Sequence, residues 1–574
     1  IWSDHRAGIG LKNMKEANPA HAARSWWSTG EIGFAGHLVL PPLATNCTNP
    51  TTALTDCVIL IEFNNLLYAC FGTDVRTWTE GTASWSASIH TLLGTPTDAL
   101  VHKGKLYFAC GTDFERYSGA VWTDGATLSG GAIATRYFLE WDAKLFVLSN
   151  AGALRYSVNE GVAWTASAVS TLEAGMHTSL FNYRNAAGTI LPHLGTKVGI
   201  YKLDFTNGVW QETEFVYPQH DYAALGSTRW REAAFIPVGI GVYLYQTSAE
   251  PEQVTPMGPD RDDGLPEDYR GNIIKLLNEH NALYALLDAT TTLERDLYLG
   301  SYVIDGVFYD NVGFSAVLKW NGAGWAVVYA SGSEDDAIKT GVVATADSIY
   351  RLWIAVDRTV FYIPLDVNLQ NPTEISDHAY ATTAEHIWPW FDADNDVIDK
   401  LAFQVAAFAE RASATEYIML YYGLDGDNNT WTLLTNTAFP DGKIDANGEA
   451  IFTIVSGAGL NFKSMRLKAV LYRGATTTVS PDLRWLRLDY MKLGEVRQMC
   501  QVDLDLTRDY RHKTAAALLT ALKAAAATKT LGDFTHRNGN GTIETKQVKV
   551  MDLREAVSSR KLQPGQYTVT LLEP

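Results

Sequence analysis

An aromatic residue recurs on a fixed step. Tyr68, Tyr107 and Phe146 follow one another at an interval of 39 residues, each inside a short apolar run. The runs align as Leu66–Asp74, Lys105–Asp113 and Lys144–Asn150, and each is followed by a Trp, at 85, 122 and 164. Between these landmarks an Arg precedes a second aromatic: Arg76 before Trp78, Arg116 before Tyr117, Arg155 before Tyr156. With more drift the pattern continues through Gly195-Thr196 to Tyr201 and Trp210, through Val242–Tyr245, and through Ala282–Ala285 to Trp320 and Trp325. It ends with Ile349–Trp353 and Val360–Tyr362.

Each unit reads as short strands separated by Gly-Thr-Asp or Asn-Gly turns, whose residues accept the positive φ that tight hairpins need. A unit this short cannot bury both faces of its sheet alone, so like units must stack on one another. The period fits four-stranded propeller blades, with about seven units between Asn46 and Pro372. The expected class is mainly β: residues 1–45 as an N-terminal lead-in, a β-propeller over 46–373, a jelly-roll-like β-sandwich over 374–492, and a small α+β docking domain over 493–574.

The sandwich reading rests on alternating strands at 418–422, 430–434, 450–454, 465–471 and 483–490. Arg and Lys fall on one side of the last two, as in half-buried strands. Beyond Leu493, the Ala-rich stretch from Arg511 to Thr528 predicts one helix, with Leu518, Leu519 and Leu522 on its apolar side. Strands are expected at 501–506, 545–551 and 566–572, with a turn at Asn538–Gly541.

A net charge of −18 argues against a nucleic-acid or anionic-membrane partner. No run of 18 apolar residues is present, so no membrane span is expected. The five Cys are odd in number and sparse, which implies no disulfide framework. Cys47 and Cys57, flanking a Thr-rich loop, are the one pair close enough in sequence to suggest a bond. The chain begins at Ile1 rather than Met, and residues ahead of it are expected.

No nucleophile elbow, zinc-protease helix, Walker loop or dinucleotide fingerprint occurs. Asp392–Asp396 and Asp260–Gly264 place oxygens at alternating positions, but Val397 stands where a calcium loop needs Gly. Both read as solvated acidic loops. No catalytic, cofactor-binding or metal-binding residue is assigned, and the chain is read as a non-enzyme without a cofactor. Ser157–Trp164 resembles the Asp-box of sialidase-like propellers, with Asn159 in place of Asp. That box is a structural turn between outer strands of a blade. A sialidase would also bring three Arg together; Arg76, Arg116 and Arg155 are the only candidates, and their recurrence suggests a repeated structural role.

The opening, Asp4–Gly10 with Ser25–Thr29 and Gly36–Pro42, resembles the start of tailed-bacteriophage structural proteins in which a Gly-rich segment precedes a propeller. Ser480–Trp485 resembles part of their middle domain, and Gly565–Pro574 the closing strand of phage tail proteins. The resemblance spans most of the chain as an order of textures, without a diagnostic motif. It implies a virion component of the tail or tail tip, assembled in the host cytoplasm. Its partners would be other tail proteins, further copies of itself, and a host-surface glycan or receptor. The alternative is a secreted propeller that binds carbohydrate or acts as a sialidase-like glycosidase, suggested by the Asp-box-like turn and the many Trp and Tyr.

Overall fold

A computed structural model describes the chain except residues 16–17, 33–35, 49–54, 168, 170–171, 248–251, 260–264, 291–302, 305–306, 309–312, 366–377, 396–397, 428–429, 493–498, 506–512, 529–530, 538–542, 556–565 and 573–574. It forms two compact units, Ile1–Met491 and Lys492–Pro574.

The larger unit is mainly β and contains a β-propeller. Seven antiparallel sheets follow one another in sequence, six of four strands and the first with an additional short strand at His90–Thr91. Their first strands are Cys57–Phe63, Asp98–His102, Tyr137–Trp141, His177–Arg184, Thr228–Trp230, Asn272–Asn278 and Ile338–Ala346. Each first strand lies beside the next, and the seventh returns to the first, so the sheets close a ring. The seventh sheet takes its fourth strand from the other end of the chain: Thr45–Asn46 pairs with Phe361 and Tyr362. Closing the ring with an early strand ties two distant parts of the chain together.

The hairpins have a common physical basis. Asn64-Asn65, Lys103-Gly104, Asp142-Ala143 and Asp347-Ser348 each link a first strand to a second, with both residues at positive φ. This two-residue geometry matches the twist of the flanking strands. The recurring aromatics Tyr68, Tyr107 and Phe146 all sit on second strands and are buried between neighbouring sheets. The run Val242–Tyr245, expected to open a unit, lies instead on the third strand of the fifth sheet, Gly241–Gln246. The second strand there is Ala233–Val238, where Pro237 disguises the apolar pattern.

The rest of this unit is a two-sheet region. Its eight-stranded sheet is built around Met465–Tyr472, flanked by Thr383–Ile387 and Tyr417–Leu424. A second sheet centres on Lys400–Glu410, which pairs with Gly448–Thr453 and Leu460–Phe462 and also with the long strand Asp482–Lys492. Residues of both sheets meet in one core, with Ala402, Val405, Ala407 and Phe452 on one side and Ile418, Leu420, Leu467 and Leu471 on the other.

The lead-in is not a separate segment. Asn13–Met14 and Trp27–Ser28 are strands of the eight-stranded sheet. Trp2 and Leu38 bridge to Leu486 and Leu483. The same segment packs on the sixth ring sheet, where the Ile9 N–H donates to the Trp325 carbonyl at 3.0 Å. A side chain at Gly8 would collide with the Trp325 backbone, and one at Gly324 with the backbone of Ala7. One hydrophobic core therefore runs from the fifth and sixth ring sheets, through Trp2, Ile9 and Trp27, into the two-sheet region.

The four described thiols, Cys47, Cys57, Cys70 and Cys110, are free and buried, so Cys47 and Cys57 do not bond. Each packs in an apolar cluster, as a small hydrophobe would.

The smaller unit is a four-stranded antiparallel sheet in the order Met499–Asp505, Gln566–Leu572, Ile543–Glu555, Leu531–Arg537. Its helix, Ala515–Thr528, buries Ala515 in a cluster with Leu504, Leu518, Leu519 and Leu522. The expected Asn538–Gly541 turn lies outside the described residues.

Candidate functional site at the ring centre

The middle of a propeller ring is the one place its sheets all face, and polar side chains found there need partners of their own. Asp98 opens the first strand of the second sheet. Its carboxylate reaches over to the third sheet, accepting the Phe138 N–H at 2.7 Å, and also accepts the Ala99 N–H at 2.9 Å. Lys275 lies on the first strand of the sixth sheet, just after a register shift at Ile273, and donates to Thr340 Oγ1 of the seventh sheet at 3.2 Å. Each side chain thus staples one sheet to the next.

Asp98 and Lys275 also act on each other. Burial pushes the Asp98 carboxyl up to about 6 against the pull of its two N–H donors and of Lys275. Burial pushes the Lys275 amine down, while Asp98 and then Cys57 oppose the shift. The second and sixth sheets are separated by two others along the shorter arc of the ring. The pull each feels from the other therefore acts across the middle of the ring. Both residues remain half-buried rather than sealed. Nearby, Lys339 sits between Asp56 and Asp357, at 3.5 and 3.6 Å.

This arrangement can hold a small polar group by complementary charge. Burial pushes the thiols of Cys57 and Cys70 up, away from the reactive thiolate. Neither Asp98 nor Lys275 was singled out in the sequence. The usable signal was Lys275 itself, a lone cation inside the apolar run Ile273-Ile274-Lys275-Leu276-Leu277.

The three recurring Arg all lie on third strands, opposite Ala69, Tyr107 and Val147, and Arg116 is one register position away from the places of Arg76 and Arg155. They belong to three sheets and have separate surroundings. Arg76 donates to the Ser86 carbonyl at 2.8 Å, Arg116 to the Glu160 carbonyl at 3.2 Å, and Arg155 is exposed. The Asp-box-like segment folds as a turn between the third and fourth strands of the third sheet. Ser157 Oγ accepts the Gly161 N–H at 2.8 Å, Asn159 Oδ1 accepts the Ala163 N–H at 2.8 Å, and Trp164 packs edge-on against Phe114.

Asp392 uses its side chain within its own turn, accepting the Asp394 N–H at 2.9 Å. Residues 396–397 and the 260–264 cluster lie outside the described residues. Among the described residues no group of three or more His, Cys, Asp or Glu could hold a metal, and no helix is long and apolar enough to cross a membrane.

No protein-family model matches the chain, and no curated protein matches it. Solved structures do share part of its shape. The extracellular domain of BT4673 from B. thetaiotaomicron is 9% identical with a TM-score of 0.41, over 57% of this chain and 40% of that one. YCF48 bound to D1 peptide is 10% identical with a TM-score of 0.39, over 57% and 98%. The Mitotic Checkpoint Complex structure contains a chain that is 10% identical with a TM-score of 0.38, over 57% and 94%. Likenesses this distant say nothing about what the chain binds.

Proposed function

We propose that this chain is a structural component of a tailed-phage virion, in the tail or tail tip, acting by protein–protein assembly and contact with the host surface. On this reading the ring is a seven-bladed propeller, the two-sheet region a jelly-roll-like sandwich, and residues 493–574 a docking domain. The observation that carries the proposal is the continuous core. The lead-in is a strand donor to the two-sheet region and a packing surface for the sixth ring sheet at once. A propeller tethered by a flexible linker would move independently, whereas one sharing a core with its neighbour transmits load as a rigid piece. Assembly proteins need that property.

The test is mass spectrometry of purified virions from a phage encoding the chain, alongside the native mass of the recombinant protein. The expected result is the chain present in every virion at a fixed copy number, with the recombinant protein forming closed rings or binding other tail proteins. Virions that lack the chain overturn the proposal.

A further inference from the structure

Four of the seven first strands share a backbone irregularity near their start. The register shifts between Cys57 and Ile59 in the first sheet, His177 and Ser179 in the fourth, Ile273 and Lys275 in the sixth, and Ile338 and Thr340 in the seventh. A bulge of this kind re-aims the side chains beside it. The residues that follow the shift are Ile59, Ser179, Lys275 and Thr340, so three of the four sheets build the feature without a charge there. The ring does not require an ammonium at this place.

Lys275 is nevertheless held in position. Gly226 approaches its stem so closely that a Cβ there would lie 2.9 Å from Lys275 Cγ. The next residue, Leu276, donates its N–H to the Gly226 carbonyl at 3.2 Å. At the far end of the side chain, Nζ donates to Thr340 Oγ1 at 3.2 Å, and Thr340 is itself buried. Lys275 also feels Asp98 of the second sheet and Cys57 of the first. Neighbours on the seventh, first and second sheets are met together only from the middle of the ring.

Elsewhere in the ring Lys105, Lys144, Lys197, Lys202 and Lys339 each pair with a carboxylate. Among the described residues no carboxylate lies within ion-pair distance of Lys275. Its ammonium loses hydration and gains one hydrogen bond to a neutral hydroxyl, which favours the neutral amine. Burial accordingly pushes the amine down, against Asp98 and then Cys57. A neutral lysine amine that stays half-buried rather than sealed is a nucleophile toward carbonyl carbon.

We propose that the ring centre takes a small aldehyde, which Lys275 holds as an imine. The amine nitrogen bonds to the carbonyl carbon, and the carbonyl oxygen leaves with both amine protons as one water molecule. The step needs no oxidant or reductant, and water reverses it. The site stands whether or not the chain belongs to a virion.

The test incubates the full chain with propanal and cyanoborohydride, which reduces an imine to a stable secondary amine, and maps the alkylated lysines by peptide mass. At pH 7 Lys275 is expected to react about tenfold faster than the exposed Lys15 and Lys523, whose amines stay protonated up to about pH 10. Lys275→Arg keeps a cation beside Thr340 but cannot form an imine. It should lose the fast alkylation and leave Lys15 and Lys523 within about twofold of the parent. Should that variant fail to fold by circular dichroism, the rates in the parent from pH 7 to pH 10 decide alone: the lead of Lys275 should shrink as the exposed amines deprotonate. Alkylation of Lys275 no faster than that of Lys15 and Lys523, no alkylation of it at all, or a rate that climbs with pH as steeply as theirs each overturns the proposal. Virion mass spectrometry is unaffected by any of these outcomes, so failure here is distinct from failure of the assembly role.

Discussion

Trp27 lies flat against Tyr269, with ring centroids 3.8 Å apart and planes 26° apart. Trp27 is a strand residue of the eight-stranded sheet, paired with Ile387. Tyr269 closes the helical turn Glu267–Tyr269 between the fifth and sixth ring sheets. The pair is thus a joint between propeller and two-sheet region, and Trp27 is 1% exposed. Trp27→Ala removes a large ring from a closed core and should cost about 3–5 kcal/mol. If this joint couples the two regions, calorimetry should show the shared unfolding peak of the larger unit, Ile1–Met491, splitting into two in the variant. One undivided peak in the variant would mean that the regions are coupled elsewhere.

A second joint lies within the ring. Arg351, on the second strand of the seventh sheet, grips Glu80 of the first sheet with two nitrogens at 2.5 and 2.7 Å. Trp78 Nε1 donates to the same carboxylate at 2.8 Å, and the Arg351 guanidinium covers the Tyr362 ring at 4.0 Å. The Arg351 hydrogen bonds, aided by Trp78, hold the Glu80 carboxyl below its usual value. An acid whose folded pKa is depressed stabilises above its unfolded pKa and loses that contribution as pH falls through the folded value. Glu80→Gln should therefore cost about 1 kcal/mol at pH 7, a modest figure because the carboxylate is partly solvated. Urea unfolding should show the gap between parent and variant closing as pH falls below about 4.5, near the unfolded Glu value. A gap of constant size would assign the cost to lost packing instead.

The repeat was readable because one residue class does one job in every sheet. Tyr68, Tyr107 and Phe146 fill the same inter-sheet space, so selection for volume leaves a visible period. What that period exposed was the second to fourth strands. First strands such as Asp98–His102 carry Asp and His among apolar residues because they face the ring centre, and this mixture hides them. The turns between first and second strands are Asn-Asn, Lys-Gly, Asp-Ala and Asp-Ser, four solutions to one backbone geometry, so they share no spelling. Lys400–Glu410 escaped notice for a different reason. Its run Ala402, Ala406, Ala407, Ala409 looks helical by propensity, yet alanine is what lets this central strand fit tightly between its neighbours. The pairing of Thr45–Asn46 with the seventh sheet is a contact between the two ends of the ring, and no local pattern encodes it. The ring centre was equally hidden, since only closure of the ring turns Asp98 and Lys275 toward the same space.

His5 and His386 give the pH response a second window. Their rings lie 4.6 Å apart, at 2% and 0% exposure, with Trp388 against both. Neither ring nitrogen of His386 has a hydrogen-bond partner among the described residues. Burial pushes His5 down to about 4, and burial and then the neighbouring His5 push His386 down. A base with a depressed folded pKa stays neutral in the native state, while the unfolded chain takes up its proton near pH 6.5. Stability is therefore complete above that value and falls as the solution is acidified toward 4, by about 2 kcal/mol per such histidine at pH 5. Asp98 works in the opposite direction: its carboxyl, pushed up to about 6, binds a proton more readily folded than unfolded, so acidification there adds stability and offsets part of the loss. Measuring the urea midpoint at pH 7, 6 and 5 for the parent and for His386→Asn separates the two. The variant, relieved of one buried base, should lose less stability over this interval, and an unchanged slope would show that the His5–His386 contact does not control it.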